Sequence, residues 1–284
     1  MSDISAQLVK ELRERSGVGM GKCKEALVEA EGDIGVAADI LRKKGLASAV
    51  KKEGRETKEG VISFYETDDV IALAEVNTET DFVAKNEKFQ KFVNELTEQV
   101  AKSKISSLND FVKESYNIDP SLTIDEYRNL LVQSIGENIQ ISRISLIYKK
   151  PKSSYGIYSH MKGKIVTIAE IHGSCDEEKF AKDIAMHVAA ESPQYLNIEQ
   201  VPQDVIRKEE EIARSQVVGK PQNIIEKIVE GKIRAFEDQV CLLNQKYIKD
   251  TSKNVLQVVS DRSKEIGAEL KLTCFWRWAV GESI

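Results

Sequence analysis

A chain that carries one pattern twice must close a core around each copy, and this constrains the present sequence more than any other feature. The word Gly60-Val61-Ile62-Ser63-Phe64 matches Gly156-Ile157-Tyr158-Ser159-His160, and VIALAEV (70–76) matches IVTIAEI (165–171). Lys88-Phe89 then matches Lys179-Phe180. Each copy reads as strand, strand, helix. Apolar runs bounded by Gly and charge give way to a helical period through Phe89, Phe92, Val93, Leu96 and Val100, or through Phe180, Ile184, His187 and Val188. The fold class expected is therefore α+β, with two repeated core subdomains. The copies differ between second strand and helix, where NTETDFVAKNE (77–87) faces only HGSCDEE (172–178), so the first copy carries four extra residues. Loops on rigid scaffolds carry function, which directs attention to Asp81 and Phe82 in the longer loop.

Three short helices are expected ahead of the repeat. Leu8 and Leu12, then Cys23, Ala26, Leu27 and Ala30, then Ala37, Ile40 and Leu41 recur at three-or-four spacing between charged positions. Gly17-Val18-Gly19 separates the first two helices, Gly32 suits a left-handed cap, Asp33 can open the third helix and Gly45 can end it. ASAVKKEGRETKEG (47–60) is charged and poor in large apolar residues, and reads as a linker or frayed helix. Leu108 to Val132 reads as helix broken at Asp119-Pro120, and IGENIQISRISLIY (135–148) as a turn and a strand. Ile225, Val229, Ile233, Phe236 and Val240 form a helical seam, and Gly219-Lys220-Pro221 reads as the tip of an antiparallel helical hairpin. LKLTCFWRWAV (270–280) returns to strand character. The expected division is a three-helix unit over 1–54, core subdomain 1 over 55–150, core subdomain 2 over 151–201 and 241–284, and an inserted hairpin over 202–240.

Composition narrows the function. Among 284 residues, 41 Lys and Arg against 46 Asp and Glu leave a net charge of −5, which argues against a protein that grips phosphate backbone and points to a protein partner rather than nucleic acid. No stretch reaches the roughly 18 consecutive apolar residues of a membrane span, and no export signal opens the chain. Cys23, Cys175, Cys241 and Cys274 are scattered without a CxxC pair, so neither metal site nor disulfide framework is expected and a reducing cytoplasm fits best. His160, His172 and His187 are far apart, HExxH and GxSxG are missing, and no catalytic constellation emerges. Gly17-Val-Gly-Met-Gly21-Lys22 resembles a phosphate loop superficially. It follows a helix, and it has Ser16 and Cys23 where such a loop needs Gly and Ser or Thr, so no nucleotide or other cofactor is expected to bind directly. Lys51-Lys52 is balanced by Glu53 and Glu56.

Two readings of Thr80-Asp81-Phe82 stand side by side. Thr80 or Asp81 could cap the next helix with Phe82 as its first core residue, seven positions before Phe89 on the same face. The four-residue excess over the second copy argues instead for a projecting loop.

At these residues the chain resembles the bacterial translation elongation factor Ts family, from about residue 4 to residue 281. The matching words are LVKELRERSGVGMGKCKEAL (8–27) with GDI (32–34), EVNTETDFVAKN (75–86), IGENIQISR (135–143), IAMHVAAESP (184–193) and KIVEGKI (227–233), of which TDFVAKN is the most specific. The resemblance implies a ubiquitin-associated-like N-terminal domain, a two-subdomain core, and a guanine-nucleotide exchange factor, not an enzyme, whose partner is elongation factor Tu. It implies that Asp81 and Phe82, flanked by Thr80 and Val83, form a wedge entering between two helices of the partner's GTPase domain and disturbing its magnesium and phosphate site. Ile135 and His160 resemble further contact positions, and Leu12, Gly19 and Met20 resemble the docking surface on the GTPase domain. The chain ends at Gly281-Glu-Ser-Ile284, without the extra C-terminal helix that longer members use as another contact. The hairpin could mediate self-association into a homodimer or touch the partner's distal domain. A non-exchanging scaffold is the other functional class left open.

Overall fold

In the computed structural model, which describes residues 4–217 and 221–282, the chain is α+β and divides into two compact units. One takes in the described residues up to Lys149, with Lys162–Lys164 and the chain from Ala279; the other takes in Lys150–Met161 and Ile165–Trp278.

The first unit opens with α1 (Ala6–Ser16), α2 (Met20–Glu29) and α3 (Ile34–Lys52). Their inward faces close a small core through Val9, Leu12, Val18, Cys23, Leu27 and Leu41. Ser5 and Asp33 cap α1 and α3 by accepting the backbone N–H of Leu8 and Val36, and Gly17 ends α1 with a left-handed φ of 67°. Gly45 does not end α3, contrary to the expectation from sequence. The helix runs on to Lys52, and a Cβ at Gly45 would lie 3.3 Å from Leu130 Cδ2 and 3.4 Å from the Asn129 carbonyl oxygen. This glycine lets a second helix approach. Ala49, placed by sequence in a linker or frayed helix, is buried in the unit's main core.

That core is built on β1 (Glu59–Glu66), β2 (Val70–Thr78), α4 (Asp81–Ala84), α5 (Glu87–Ser103), α6 (Leu108–Phe111), β3 (Ser115–Tyr116), β4 (Asp119–Thr123), α7 (Ile124–Ile135) and β5 (Ile139–Tyr148). The main sheet has the order β1-β2-β5 and both pairings are antiparallel. Phe89, Phe92, Val93, Leu96 and Val100 of α5 lie against Val70, Ala72, Ala74 and Val76 of β2, the period-2 face that the sequence alternation prescribes. The helix expected over 108–132, broken at Asp119-Pro120, is instead α6, a hairpin and α7. Tyr116 pairs with Asp119 across a two-residue turn, and helix resumes only where Thr123 and Glu126 form a capping box.

The second unit repeats this plan with β6 (Ser153–His160), β7 (Ile165–His172), α8 (Glu178–Glu191), α9 (Gln203–Ser215), α10 (Gln222–Val240), β8 (Lys246–Tyr247), β9 (Asp250–Asn254), α11 (Val255–Ile266) and β10 (Lys271–Ala279). Its sheet order, β10-β7-β6, is that of β5-β2-β1. The repeat reaches further than the sequence words revealed. Lys246 pairs with Asn254 and Tyr247 with Asp250, as Ser115 pairs with Thr123 and Tyr116 with Asp119, and Asn254 with Gln257 forms the second capping box. Gly136 and Gly267 end α7 and α11 in the same left-handed conformation. Within the insertion that interrupts the second copy, α9 and α10 are tied by Arg214, whose guanidinium makes two 2.8 Å contacts with Glu226. The Gly219-Lys220 part of the expected tip lies outside the described residues.

The strand pairing also corrects the alignment of the copies. Ser63 stands opposite Ala74 and Gly156 opposite Ala169, so with the AEV and AEI words superposed Gly156 corresponds to Ser63, not to Gly60. The match read from the first-strand words is three residues out of register, an odd shift that would turn every side chain to the other face. Position 156 is where α8 lies directly on the sheet: a Cβ there would come within 1.9 Å of the Lys182 nitrogen. At Ser63 the side chain instead donates to Asn94 Oδ1 of α5 at 2.8 Å.

His187, an unassigned histidine in the sequence, is structural. Its Nδ1 lies 3.3 Å from the Ile248 nitrogen and its Nε2 3.0 Å from Gln245 Oε1. A neutral ring carrying its proton on Nε2 serves both. Burial holds its pKa below the ordinary 6.5, against an opposing contribution from Gln245.

Two outcomes follow from this packing. Gly156→Ala is expected to destabilise the second unit by about 3 kcal/mol, the upper end for an overpacked site, because the obstruction is helix backbone; the urea midpoint of the purified variant measures it. For His187 the unfolded chain takes up a proton near pH 6.5 while the folded ring resists it. Its contribution is therefore complete above about pH 6.5 and is lost as pH falls from there toward the lowered folded value. Thermal melts between pH 7 and pH 5 are expected to fall more steeply for the wild type than for His187→Gln, which keeps a donor and an acceptor without the titration.

Candidate functional site

The seven residues TDFVAKN form a short structure in which nearly every side chain has a partner. Thr80 is extended and caps α4, its hydroxyl accepting the Val83 N–H at 3.4 Å. Val83 and Ala84 are buried and anchor the turn to the core. Lys85 reaches back four residues and donates to Asp81 Oδ2 at 2.6 Å. That hydrogen bond, with the Lys85 charge, keeps the exposed Asp81 carboxyl below the usual carboxylate range. Asn86 caps α5, its side-chain oxygen accepting the N–H groups of Lys88 and Phe89. Phe82 remains. It is 81% exposed, the most exposed large apolar side chain among the described residues.

This outcome divides the two sequence readings. Thr80 does cap a helix, but Phe82 is not that helix's core residue. Four residues of α4 end at Lys85 and Asn86 starts α5 afresh, so the seven-residue spacing to Phe89 does not run along one helix.

The turn is stitched to a distant part of the unit. Glu137, one residue past the glycine that ends α7, accepts from Thr78 Oγ1 at 3.0 Å and from the Thr80 N–H at 3.0 Å on one oxygen, and from Thr80 Oγ1 at 2.7 Å on the other. Reciprocally, Glu79 Oε1 accepts the Asn138 N–H at 2.6 Å, and Arg55 lies 3.3 Å from the same oxygen. The buried Asn138 side chain donates to the carbonyls of Glu53 and Arg55 at 3.3 and 3.0 Å. Sequence reasoning named only Ile135 from this segment. A signal for Glu137 was available: a carboxylate just beyond a helix C-terminus faces the negative end of the dipole and needs a compensating donor set.

The other expected residues sort by exposure. Ile135, at the end of α7, is half-buried against the main core. Next to it, Ser134 Oγ donates to the Gly17 carbonyl at 2.8 Å, and Lys88 Nζ donates to the same oxygen at 3.1 Å. The end of α7 therefore holds the α1–α2 junction as well as the loop bearing Phe82. In that junction Gly19 and Met20 are exposed, Met20 at 57%. Gly19 has an ordinary φ of −61° and nothing within 4 Å of where a Cβ would sit, so no feature of the chain itself requires glycine there. Leu12 is different: it is 0% exposed in the helical core. This corrects the expectation that its own side chain meets a partner; it shapes the surface from beneath. His160 stands exposed on the second unit, at the end of β6, with Nδ1 3.0 Å from the Tyr158 hydroxyl and the two rings 5.9 Å apart.

Among the described residues no group of three or more His, Cys, Asp or Glu is placed to hold a metal ion, and no helix is long and apolar enough to cross a membrane.

Comparison with known proteins agrees with the words that first marked this loop. A family model described as Elongation factor TS matches residues 79–282. A protein named Elongation factor Ts from Protochlamydia amoebophila (strain UWE25) is 56% identical over 282 residues, covering 99% of this chain and 100% of the relative. Proteins of the same name from Chlamydia caviae and Chlamydia trachomatis serovar D are each 46% identical over 281 residues, again with 99% of this chain and 100% of the relative covered. The chain belongs to the elongation factor Ts family.

Proposed function

We propose that this chain is a guanine-nucleotide exchange factor that binds elongation factor Tu in its GDP-bound form and promotes GDP release during translation, with Asp81 and Phe82 as the inserted element. The observation that carries the reading is the exposure of Phe82 on a turn whose neighbours are all engaged. Within TDFVAKN, capping, anchoring and ion pairing account for the other six residues, and none of these accounts for a phenylalanine in water. Its apolar surface becomes useful when a partner covers it.

Exchange needs no covalent chemistry. The factor must bind the nucleotide-free partner better than the GDP-bound one, and by linkage GDP then weakens the factor's binding by the same ratio. Burying one Phe side chain is worth roughly 1.5–3 kcal/mol, and every ~1.4 kcal/mol is tenfold in an equilibrium, so Phe82 supplies about one to two decades of that ratio. Asp81, held ionised by Lys85, adds a negative charge beside a site that binds magnesium and phosphate. Gly19 and Met20 form the docking surface: the glycine leaves room for a partner's backbone, and the methionine offers a deformable apolar contact. Thr80 and Val83 present the wedge, Ile135 borders it, and His160, oriented by Tyr158, makes a contact from the second unit.

The test is release of a fluorescent GDP analogue from elongation factor Tu with catalytic amounts of this protein. Phe82→Ala is expected to slow the stimulated release by about one to two decades while the melting temperature stays within error, since the side chain touches little of its own fold. A folded wild type that leaves release at its spontaneous rate would sink the proposal in favour of a binding scaffold. Met20→Asp is expected to raise the KM for the GDP-bound partner about tenfold with kcat nearly unchanged, as loss of one apolar docking contact should.

A further inference from the structure

We propose that Glu137 is a positioning residue for the Phe82 turn, acting through Thr80 and never touching the partner; the inference rests on the exchange-factor reading above. Three donors converge on its carboxylate, from Thr78 Oγ1, the Thr80 N–H and Thr80 Oγ1, at 3.0, 3.0 and 2.7 Å. An ionised carboxylate only accepts, so the Thr80 hydroxyl must spend its one proton on Glu137. Its lone pair is then left for the Val83 N–H, which opens α4. The polarity of the cap is thus set from outside the turn.

The turn depends on that arrangement because α4 is only four residues long, far below the length at which a helix sustains itself in water. Without a fixed cap, Thr80 rotates freely and the segment bearing Phe82 populates other conformations. Affinity and rate then fall by the fraction of time the turn is competent.

Two further observations separate positioning from general stabilisation. Glu137 lies just past the C-terminus of α7, where the helix dipole disfavours a negative charge, and among the described residues no cation forms an ion pair with it. The internal repeat then supplies a comparison. The capping boxes at Thr123 and Asn254, and the glycines that end α7 and α11, place Ala268 where the first copy has Glu137. The same second copy lacks the four extra loop residues and has no phenylalanine in HGSCDEE (172–178). The carboxylate and the projecting loop occur together in one copy and are missing together from the other, although α11 ends with its glycine in the same conformation without them.

The experiment combines amide hydrogen exchange of the free protein with GDP-analogue release from elongation factor Tu, for wild type, Glu137→Ala, Glu137→Gln, Phe82→Ala and the Glu137→Ala/Phe82→Ala double variant. Glu137→Ala is expected to speed exchange of the Val83 and Ala84 amides at least about tenfold while that of Ala74 in β2 is unchanged, and to slow GDP release about tenfold. Glu137→Gln, which keeps one accepting oxygen, is expected to fall between. In the Phe82→Ala background the same Glu137→Ala change is expected to alter release less than about twofold, because the two residues act as one unit. A full tenfold loss in that background, or unchanged protection at Val83, overturns the proposal. Should wild type leave GDP release at its spontaneous rate, the exchange reading fails, and should Phe82→Ala stimulate release as well as wild type, the inserted role of Phe82 fails; in either case the Val83 amide still reports separately on whether Glu137 orders the turn.

Discussion

The first unit depends on a constraint at the end of α7: its backbone and side chains must find partners in a place where no regular structure supplies them. Buried polar groups are paired almost without exception, since an unpaired one costs about 1–3 kcal/mol. Here the partners come from three distant segments. Ser134 takes the carbonyl that closes α1, Glu137 takes the loop after β2, and Asn138 takes the carbonyls that follow α3. Each bond is local in space and distant in sequence, so satisfying one short stretch fixes the helical surface around Met20 and the turn around Phe82 relative to the same helix end. A surface assembled this way is ordered before any partner arrives, so the proposed docking loses less entropy than it would with a mobile loop.

What the sequence could and could not convey follows from how each signal is encoded. Periodicity found β2 and α5 because burial of one face leaves a regular imprint, and Asp33, Gly17 and Gly32 read correctly because caps are local chemistry. Gly45 misled because a glycine that ends a helix and one that admits a neighbouring helix look alike in one dimension; only the proximity of Leu130 tells them apart. Asp119-Pro120 was read as a helix break, whereas the chain forms a two-strand hairpin there before Thr123 restarts the helix. The repeat was visible, but its first strand was aligned on a shared glycine and serine. The ladder shows that close packing on α8, rather than the shared letters, determines what Gly156 is equivalent to.

The site was legible to a different degree. The word TDFVAKN located the turn, and the excess length over the second copy marked it as unusual. The exposure of Phe82 was not deducible from spacing, since a phenylalanine seven positions before another is as consistent with one helix as with two. The interruption at Lys85 and Asn86 decides it. Glu137 was missed for a related reason. Its partners are 57 and 59 residues away, and a carboxylate after a glycine carries no local imprint except its unfavourable place at the helix end.

The two copies show how one topology can hold different surfaces without disturbing its core. Both keep the sheet order, the small hairpin, the capping box and the closing glycine, which together determine where the helices lie. The insertions are confined to connections: four extra residues after the second strand in one copy, and α9 with α10 between helix and hairpin in the other. Interior equivalents still adapt. Leu96 in the first copy is simply buried, whereas His187, which takes its place in the second, accepts the Ile248 N–H of the β8–β9 turn; in the first copy the Asn117 N–H of the matching turn is accepted by Gln99 from another position on its helix. Two different side chains solve the same hydrogen-bonding problem. The requirement that persists between the copies is therefore the paired backbone group, not the residue that pairs it. For that reason an exposed phenylalanine and its carboxylate anchor can be carried by one copy alone while both units fold to the same plan.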